Sequence, residues 1–212
     1  LSDINRGKNF IFYNCDINNF KKFGQILQSN KFDAVIHLAS IVGDPACNLY
    51  NIEAYKTNWE ATCWLVNKCI SLGIPRFIFA STCSNYGKME RKNAFVDENS
   101  PLKPLSLYAE LKVKVENYIL NEILKTDYFY PTVLRFPTVY GPSKRMRFDL
   151  TVNEFSKEIS LGKKLLVFGK QFWRPYCHVD DFSNAFISVL NAPFKTIAYN
   201  VFNVGSTSEN YT

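Results

Sequence analysis

Tyr108 and Lys112 stand four residues apart in Tyr108-Ala109-Glu110-Leu111-Lys112, at the head of a stretch that continues through Val115, Tyr118, Ile119 and Ile123 at helical spacing. Residues four apart share one face of a helix, so the phenol and the ammonium can act at one point. A free tyrosine titrates near pKa ~10, and using it as a base near pH ~7 takes about 4 kcal/mol of preference for the phenolate. A neighbouring ammonium and a bound cationic ring both favour that phenolate. Upstream, Phe77-Ile78-Phe79-Ala80-Ser81-Thr82 reads as a buried strand ending in two hydroxyl residues, which can hold a substrate hydroxyl in place. Tyr-x-x-x-Lys alone is often just one face of a helix. The hydroxyl-ended strand before it is what raises the chemical reading.

The elements that must position these groups alternate. Residues 10–15 read as a short strand, 20–28 as a helix and 32–38 as an apolar strand. A long amphipathic helix over 51–72 is ended by Gly73 and Pro75. Strands follow at 76–80 and 131–136, on either side of the helix that carries Tyr108. Near-continuous apolar strands separated by helices indicate a parallel sheet covered on both faces, the α/β doubly wound class. After Gly141 the spacing predicts helices over 150–161 and 179–190 and strands over 164–168 and 199–204.

Composition narrows the partners. With 212 residues, 47% apolar and 21% charged, the chain is globular and large enough for one domain with a real core. The formal charge of +6 is dispersed. Its densest patch is Lys144-Arg145-Met146-Arg147, with Lys163-Lys164 and Arg174 further on. Nucleic-acid binding asks for a longer basic stripe with stacking aromatics, so a small anion such as a diphosphate fits these cations better. No apolar stretch approaches the ~20 residues of a membrane span, and residues 1–6 lack a signal-peptide core. Cys15, Cys47, Cys63, Cys69, Cys83 and Cys177 form no CxxC pair and no zinc spacing. They are expected to be reduced, in a cytoplasmic protein that holds no metal.

Seven segments taken in order resemble a known family. They are Cys15-Asp16-Ile17, Val35-Ile36-His37-Leu38-Ala39-Ser40, Thr57-Asn58-Trp59-Glu60-Ala61-Thr62 and Phe77 through Gly87. Tyr108 through Lys112, Leu134 through Pro142 and Arg174 through Asp181 complete the set. Together they resemble the extended short-chain dehydrogenase/reductases, specifically the NAD-dependent epimerase/dehydratase group acting on nucleotide sugars. The resemblance implies a Rossmann-type NAD-binding fold over 1–141, with a small substrate-binding region over 142–212. It implies that Tyr108 is the acid/base, that Lys112 lowers its pKa and holds the cofactor ribose, and that Thr82 bonds the reacting sugar oxygen. Asp16 and Ile17 would contact adenine, while Leu38, Ala39 and Ser40 would pass under the cofactor with Asn58 behind them. Ala80, Phe136 and Pro137 would lie along the cofactor. Thr138 would face the sugar phosphate, and Arg174, helped by Arg145 and Arg147, would grip the diphosphate. NAD is the implied cofactor, with NADP left open, a nucleotide-diphosphate sugar the substrate, and a homodimer through the 51–72 and 108–125 helices the assembly. His37 and His178 are expected to be structural.

Departures from the family pattern sharpen these expectations. The nine glycines include no G-x-x-G-x-x-G, so the first two strands and first helix of the family are expected to lie outside the chain, as is its C-terminal end. The strand at 32–38 should then expose an apolar edge, leaving the isolated chain poorly stable. Sugar dehydratases of the family carry an Asp-Glu pair just after the strand-end Thr, where this chain has Cys83-Ser84. That absence of carboxylates favours an NAD-dependent epimerase over a nucleotide-sugar dehydratase or an NADP-dependent keto-sugar reductase. Thr138, where many epimerases carry asparagine, leaves the sugar unnamed. A non-catalytic nucleotide-binding or scaffold protein is the alternative of another class.

Overall fold

A computed structural model of the chain describes residues 9–88, 95–167, 169 and 171–212. Its centre is two strands whose side chains are buried almost throughout, β2 (Arg76–Thr82) and β3 (Tyr130–Phe136). They are flanked by β1 (Ala34–His37) and β6 (Asn200–Asn203), and the four strands form one parallel sheet in the order β1-β2-β3-β6.

Successive strand residues point to opposite faces, and here both faces are apolar. Phe77, Phe79 and Val133 pack with Leu27 of α1 (Phe20–Gln28), Leu65, Val66 and Cys69 of α4 (Ala61–Ser71), and Val115 and Ile119 of α5 (Leu107–Ile119). Ile78, Leu134 and Phe136 pack on the other face with Phe182, Phe186 and Val189 of α7 (Val179–Asn191) and Ile197 of α8 (Phe194–Ile197). Each such side chain contributes about 1.5–3 kcal/mol on burial. The doubly wound α/β architecture expected from the sequence is what forms.

Between β1 and α4 lie α2 (Asp44–Leu49), α3 (Asn51–Ala54) and a π-helical turn, Tyr55–Glu60. A second small sheet joins β4 (Thr138–Tyr140) parallel to β5 (Arg174–His178), and β5 antiparallel to β7 (Asn210–Tyr211). The helix α6 (Thr151–Ser160) precedes β5. Residue 141 divides the sequence but not the main sheet, because β6 returns to pair with β3.

Several expectations need correction. Residues 10–15 form no strand, and Phe10, Ile11, Phe12 and Tyr13 stand exposed. An extended segment with no strand paired beside it has no ladder to join. The edge expected at 32–38 is borne out: β1 is the outermost strand, with Ile36 and Leu38 exposed. Residues 164–167 are also unpaired, and Phe168 lies outside the described residues. The Tyr108 helix stops at Ile119, short of Ile123, and a separate 3-10 turn covers Glu122–Leu124. The helix α2 was not anticipated, although Asp44-Pro45 after Gly43 is a start signal, since proline at the first turn needs no N–H partner.

Candidate active site

The C-terminal end of β2 is where the sequence-derived trio meets. Ser106 caps α5, its hydroxyl accepting from the Ala109 N–H at 3.4 Å, which starts the helix one residue before Tyr108. From there Ala109, Lys112, Val115, Glu116 and Ile119 turn inward. The Lys112 ammonium, only 5% exposed, donates to the Ala80 carbonyl at 2.7 Å. It also lies 4.6 Å from the Phe79 ring centre and 5.7 Å from that of Tyr108. Two residues beyond Ala80, the buried Thr82 hydroxyl accepts from the Ser84 N–H at 3.1 Å. Its own O–H proton is not used in that bond, so it is available to a ligand oxygen.

The electrostatics differ from the expectation that Lys112 lowers the Tyr108 pKa. Burial pushes the Tyr108 phenol up to about 12, reinforced by Cys47 and Asp44, with Arg147 acting against the rise. Burial pulls the Lys112 ammonium down to about 8, with Cys47 and Glu116 acting against the fall. In this structure desolvation outweighs the cation–phenolate attraction. Activation of Tyr108 therefore needs further positive charge from a bound ligand. His37 is buried, stacked near Phe79 and bonded to the Thr62 hydroxyl at 2.8 Å. Burial, then Lys112, lowers it to about 3, so it is neutral.

Among the residues assigned to a cofactor, Leu38, Ala39 and Ser40 form a ledge at the end of β1. Leu38 and Ala39 are exposed and Ser40 half-buried, immediately after β1. Asn58, in the π-helical turn and 3% exposed, accepts from the Ile41 N–H at 2.8 Å and donates to the Ile41 carbonyl at 2.9 Å. This clamp fixes the segment that follows β1. Inserted π-turns recur at functional sites. Asp16 is exposed, its carboxylate accepting from the Asn18 N–H and side chain in a turn before α1, and Ile17 is half-buried beside it. The Phe136 ring is stacked on Phe182 at 4.1 Å within the core, while Pro137 is half-exposed.

A nicotinamide cofactor fits this donor set at its ribose and nicotinamide end. Lys112 has ammonium protons beyond the one given to Ala80, and the Leu38–Ser40 ledge is open. No pyrophosphate contact is assigned.

The cations assigned to a substrate come from the 144–149 loop and the start of β5, and Arg147 is close enough to Tyr108 to act on its charge. Arg147 forms a two-bonded ion pair with Asp149, at 2.7 and 2.6 Å. Asn153 holds that loop by donating to the Arg147 carbonyl and accepting from the Gly141 N–H. Arg145 and Arg174 are exposed, and Thr138 is half-exposed on β4. Among the described residues no group of three His, Cys, Asp or Glu side chains is placed to hold a metal, and no helix is long and apolar enough to cross a membrane.

Sequence reading missed a buried polar cluster around Glu116 and Arg135, which form an ion pair at 2.7 Å. A carboxylate one turn after Lys112 in an otherwise apolar face was the available signal. Asn58 was found, but as a cofactor residue and not as the clamp on Ile41.

The sequence profile of the NAD dependent epimerase/dehydratase family matches residues 2–205. The chain is 31% identical, over 97% of its length and 61% of the relative's, to the UDP-glucuronate 4-epimerase of Thermodesulfobacterium geofontis. It superposes on UDP-glucose 4-epimerase of Thermotoga maritima solved with UDP-glucose, with TM-score 0.82 and 28% identity, covering 94% of this chain and 64% of that one. It is similar also to UDP-glucuronic acid 4-epimerase of Bacillus cereus in complex with UDP-glucuronic acid and NAD, with TM-score 0.81 and 28% identity, covering 95% and 62%. The chain thus spans about three-fifths of the length of the relatives it matches.

Proposed function

The chain belongs to the NAD dependent epimerase/dehydratase family, and on that premise we propose that it carries the catalytic residues of an NAD-dependent nucleotide-sugar 4-epimerase. The observation that carries this reading is the buried Lys112 ammonium on the Ala80 carbonyl, one helical turn from Tyr108 and beside Thr82. NAD, with its ribose held by Lys112, would supply the hydride acceptor for oxidation of the sugar and the hydride donor for its return on the opposite face. Tyr108 takes the proton of the sugar 4-hydroxyl as the hydride leaves, and gives it back on return. The Thr82 O–H bonds the same oxygen and fixes its place. Lys112 holds the ribose hydroxyls and keeps a positive charge beside the phenol. Burial holds Tyr108 near 12, and a cationic ring bound beside it would favour the phenolate.

Cys83 and Ser84 support epimerisation over elimination. Loss of water from a 4-keto sugar needs a ready acid and base beside the ring. Burial raises the Cys83 thiol to about 12, and that thiol donates to the Arg135 carbonyl. Ser84 is an ordinary exposed hydroxyl. Arg174, with Arg145 and Arg147, grips the substrate diphosphate, since guanidinium forks match phosphate oxygens. Asp16, Ile17, Leu38, Ala39, Ser40, Asn58, Ala80, Phe136 and Pro137 line or support the cofactor, and Thr138 faces the substrate. Residues 142–212 are assigned the substrate side.

The test is product analysis by NMR after incubating the full chain with NAD and UDP-glucose or UDP-glucuronate. The 4-epimer, with no net change in NADH, is expected. A 4-keto-6-deoxy product, or net consumption of NADPH, overturns epimerisation in favour of the dehydratase or reductase.

A cytoplasmic setting accompanies this reading, supported by six free cysteines. So does a homodimer through the α3–α4 and α5 face, supported by the exposed Ile52 of α3 and Tyr55 of the turn that leads into α4. A monomer by light scattering at micromolar concentration would remove the dimer.

A further inference from the structure

Beneath the trio, an ion pair is sealed from water. Arg135 of β3 and Glu116 of α5 have side chains 5% and 1% exposed. The guanidinium donates through Nη2 to Glu116 Oε2 at 2.7 Å and through Nε to both carboxylate oxygens at 3.2 Å. Glu116 Oε1 also accepts from the Ser81 hydroxyl and from Asn85 Nδ2. The remaining guanidinium arm donates to the Tyr86 hydroxyl at 2.8 Å and to the Glu98 carbonyl at 3.2 Å. Tyr86 in turn donates to Asn203 Oδ1, and the Glu98 carboxylate accepts from the Asn203 N–H. One cluster thus ties α5, β2, β3, the turn after Thr82 and the end of β6.

Its place in the sequence matters more than its size. Glu116 lies one turn along α5 from Lys112, as Lys112 does from Tyr108, so the three share a face. Lys112 is bonded to residue 80 of β2, Glu116 to residue 81, and Thr82 follows. We propose that Glu116 and Arg135 are positioning residues of this site, fixing Lys112 and Thr82 relative to Tyr108 through their shared buried ion pair. The inference rests on the proposed role of that trio.

Two bonds from neighbouring helix turns to neighbouring strand residues set both the height and the rotation of α5 on the sheet. The pair also sets the charge around Lys112. The groups that face this ammonium are Glu116 and Tyr108 on α5, Cys47 on α2 and His37 on β1. His37 is neutral and burial raises the Cys47 thiol, so Glu116 is the formal negative charge among them. Burial works against the charge on Arg135, and the bonds to Glu116 more than offset it, so the pair stays ionised and nearly neutral as a unit. Removing one charge moves the Lys112 proton equilibrium through the field alone, so the variant that removes both charges together is the one that reads positioning.

The test reads Lys112 directly, from the pH titration of its labelled side-chain carbon resonance by NMR in the full chain. It needs neither substrate nor turnover, so it stays decisive if the proposed reaction is wrong. Glu116→Gln removes the attraction and leaves the Arg135 charge, so the Lys112 midpoint should fall by about one pH unit or more, a roughly tenfold loss of proton affinity. Arg135→Gln should raise it. In the double variant Glu116→Gln/Arg135→Gln the two charge effects cancel, and the midpoint should still move up towards the ordinary lysine value, because Lys112 is no longer held in its buried place. A folded double variant whose Lys112 midpoint matches wild type overturns the proposal. An unmoved midpoint in a folded Glu116→Gln or Arg135→Gln protein overturns it equally.

Discussion

On the β2–α5 side of the site, Thr82, Lys112 and Glu116 are 8%, 5% and 1% exposed, and each is held by a specific hydrogen bond. Among the cations assigned to a substrate, Arg145 and Arg174 are exposed and Arg147 is paired with a neighbour two residues away. The difference follows the chemistry proposed for each. Proton transfer needs atoms held to fractions of an ångström in a medium of low dielectric, where a charge has a large effect. Holding a diphosphate needs charge that can reach and release an ion, and exposed guanidinium groups do that at little structural cost. The buried side is therefore sensitive to single atoms and to pH, while the exposed side is sensitive to salt.

Tyr108→Phe strikes the buried side hardest. It removes one oxygen and should lower kcat by about 10²–10⁴ while NAD affinity, measured by calorimetry, stays within twofold. Retained turnover would remove Tyr108 as the acid/base.

His37→Gln should alter the acid stability of that same side. Its pKa of about 3 in the folded chain is below the ordinary 6.5. The unfolded chain therefore binds more protons between those values. The stability contributed by neutral His37 is fully present above about 6.5 and is lost as pH falls towards about 3, by a few kcal/mol in all. In the Gln variant, urea midpoints measured across this window should fall less steeply than in wild type. Parallel slopes would mean that His37 is not buried neutral.

Arg174→Gln probes the exposed side. A rise in KM of about tenfold with kcat unchanged is expected, shrinking as ionic strength rises. A fall in kcat alone would break the division of labour between the two sides. The smallest effect is expected far from both. Lys125→Met removes a surface pair with Glu122 whose side chains are 44% and 80% exposed, and should change unfolding free energy by less than about 0.5 kcal/mol.

How much of this was legible depended on range. The apolar runs at 76–82 and 130–136 gave the central strands, and period 3.6 gave α1 and α5, because those signals are local to each segment. Residues 10–15 misled because strand pattern is necessary for a strand and pairing is what completes it. Tyr108, Lys112 and Thr82 were identified by type and order, and the structure brings Lys112 to the strand that Thr82 ends.

The sequence by itself determined the class of fold and the two-faced sheet, and it put Tyr108, Lys112 and Thr82 forward as the proposed trio. These depend on periodicity and on residue chemistry carried within short windows. Tertiary structure decided the rest. That Asn58 clamps Ile41, that Glu116 meets Arg135, and that burial outweighs Arg147 at Tyr108 depend on groups far apart in the chain. Desolvation and ion pairing act through distance in space, and no spacing along a sequence encodes that distance.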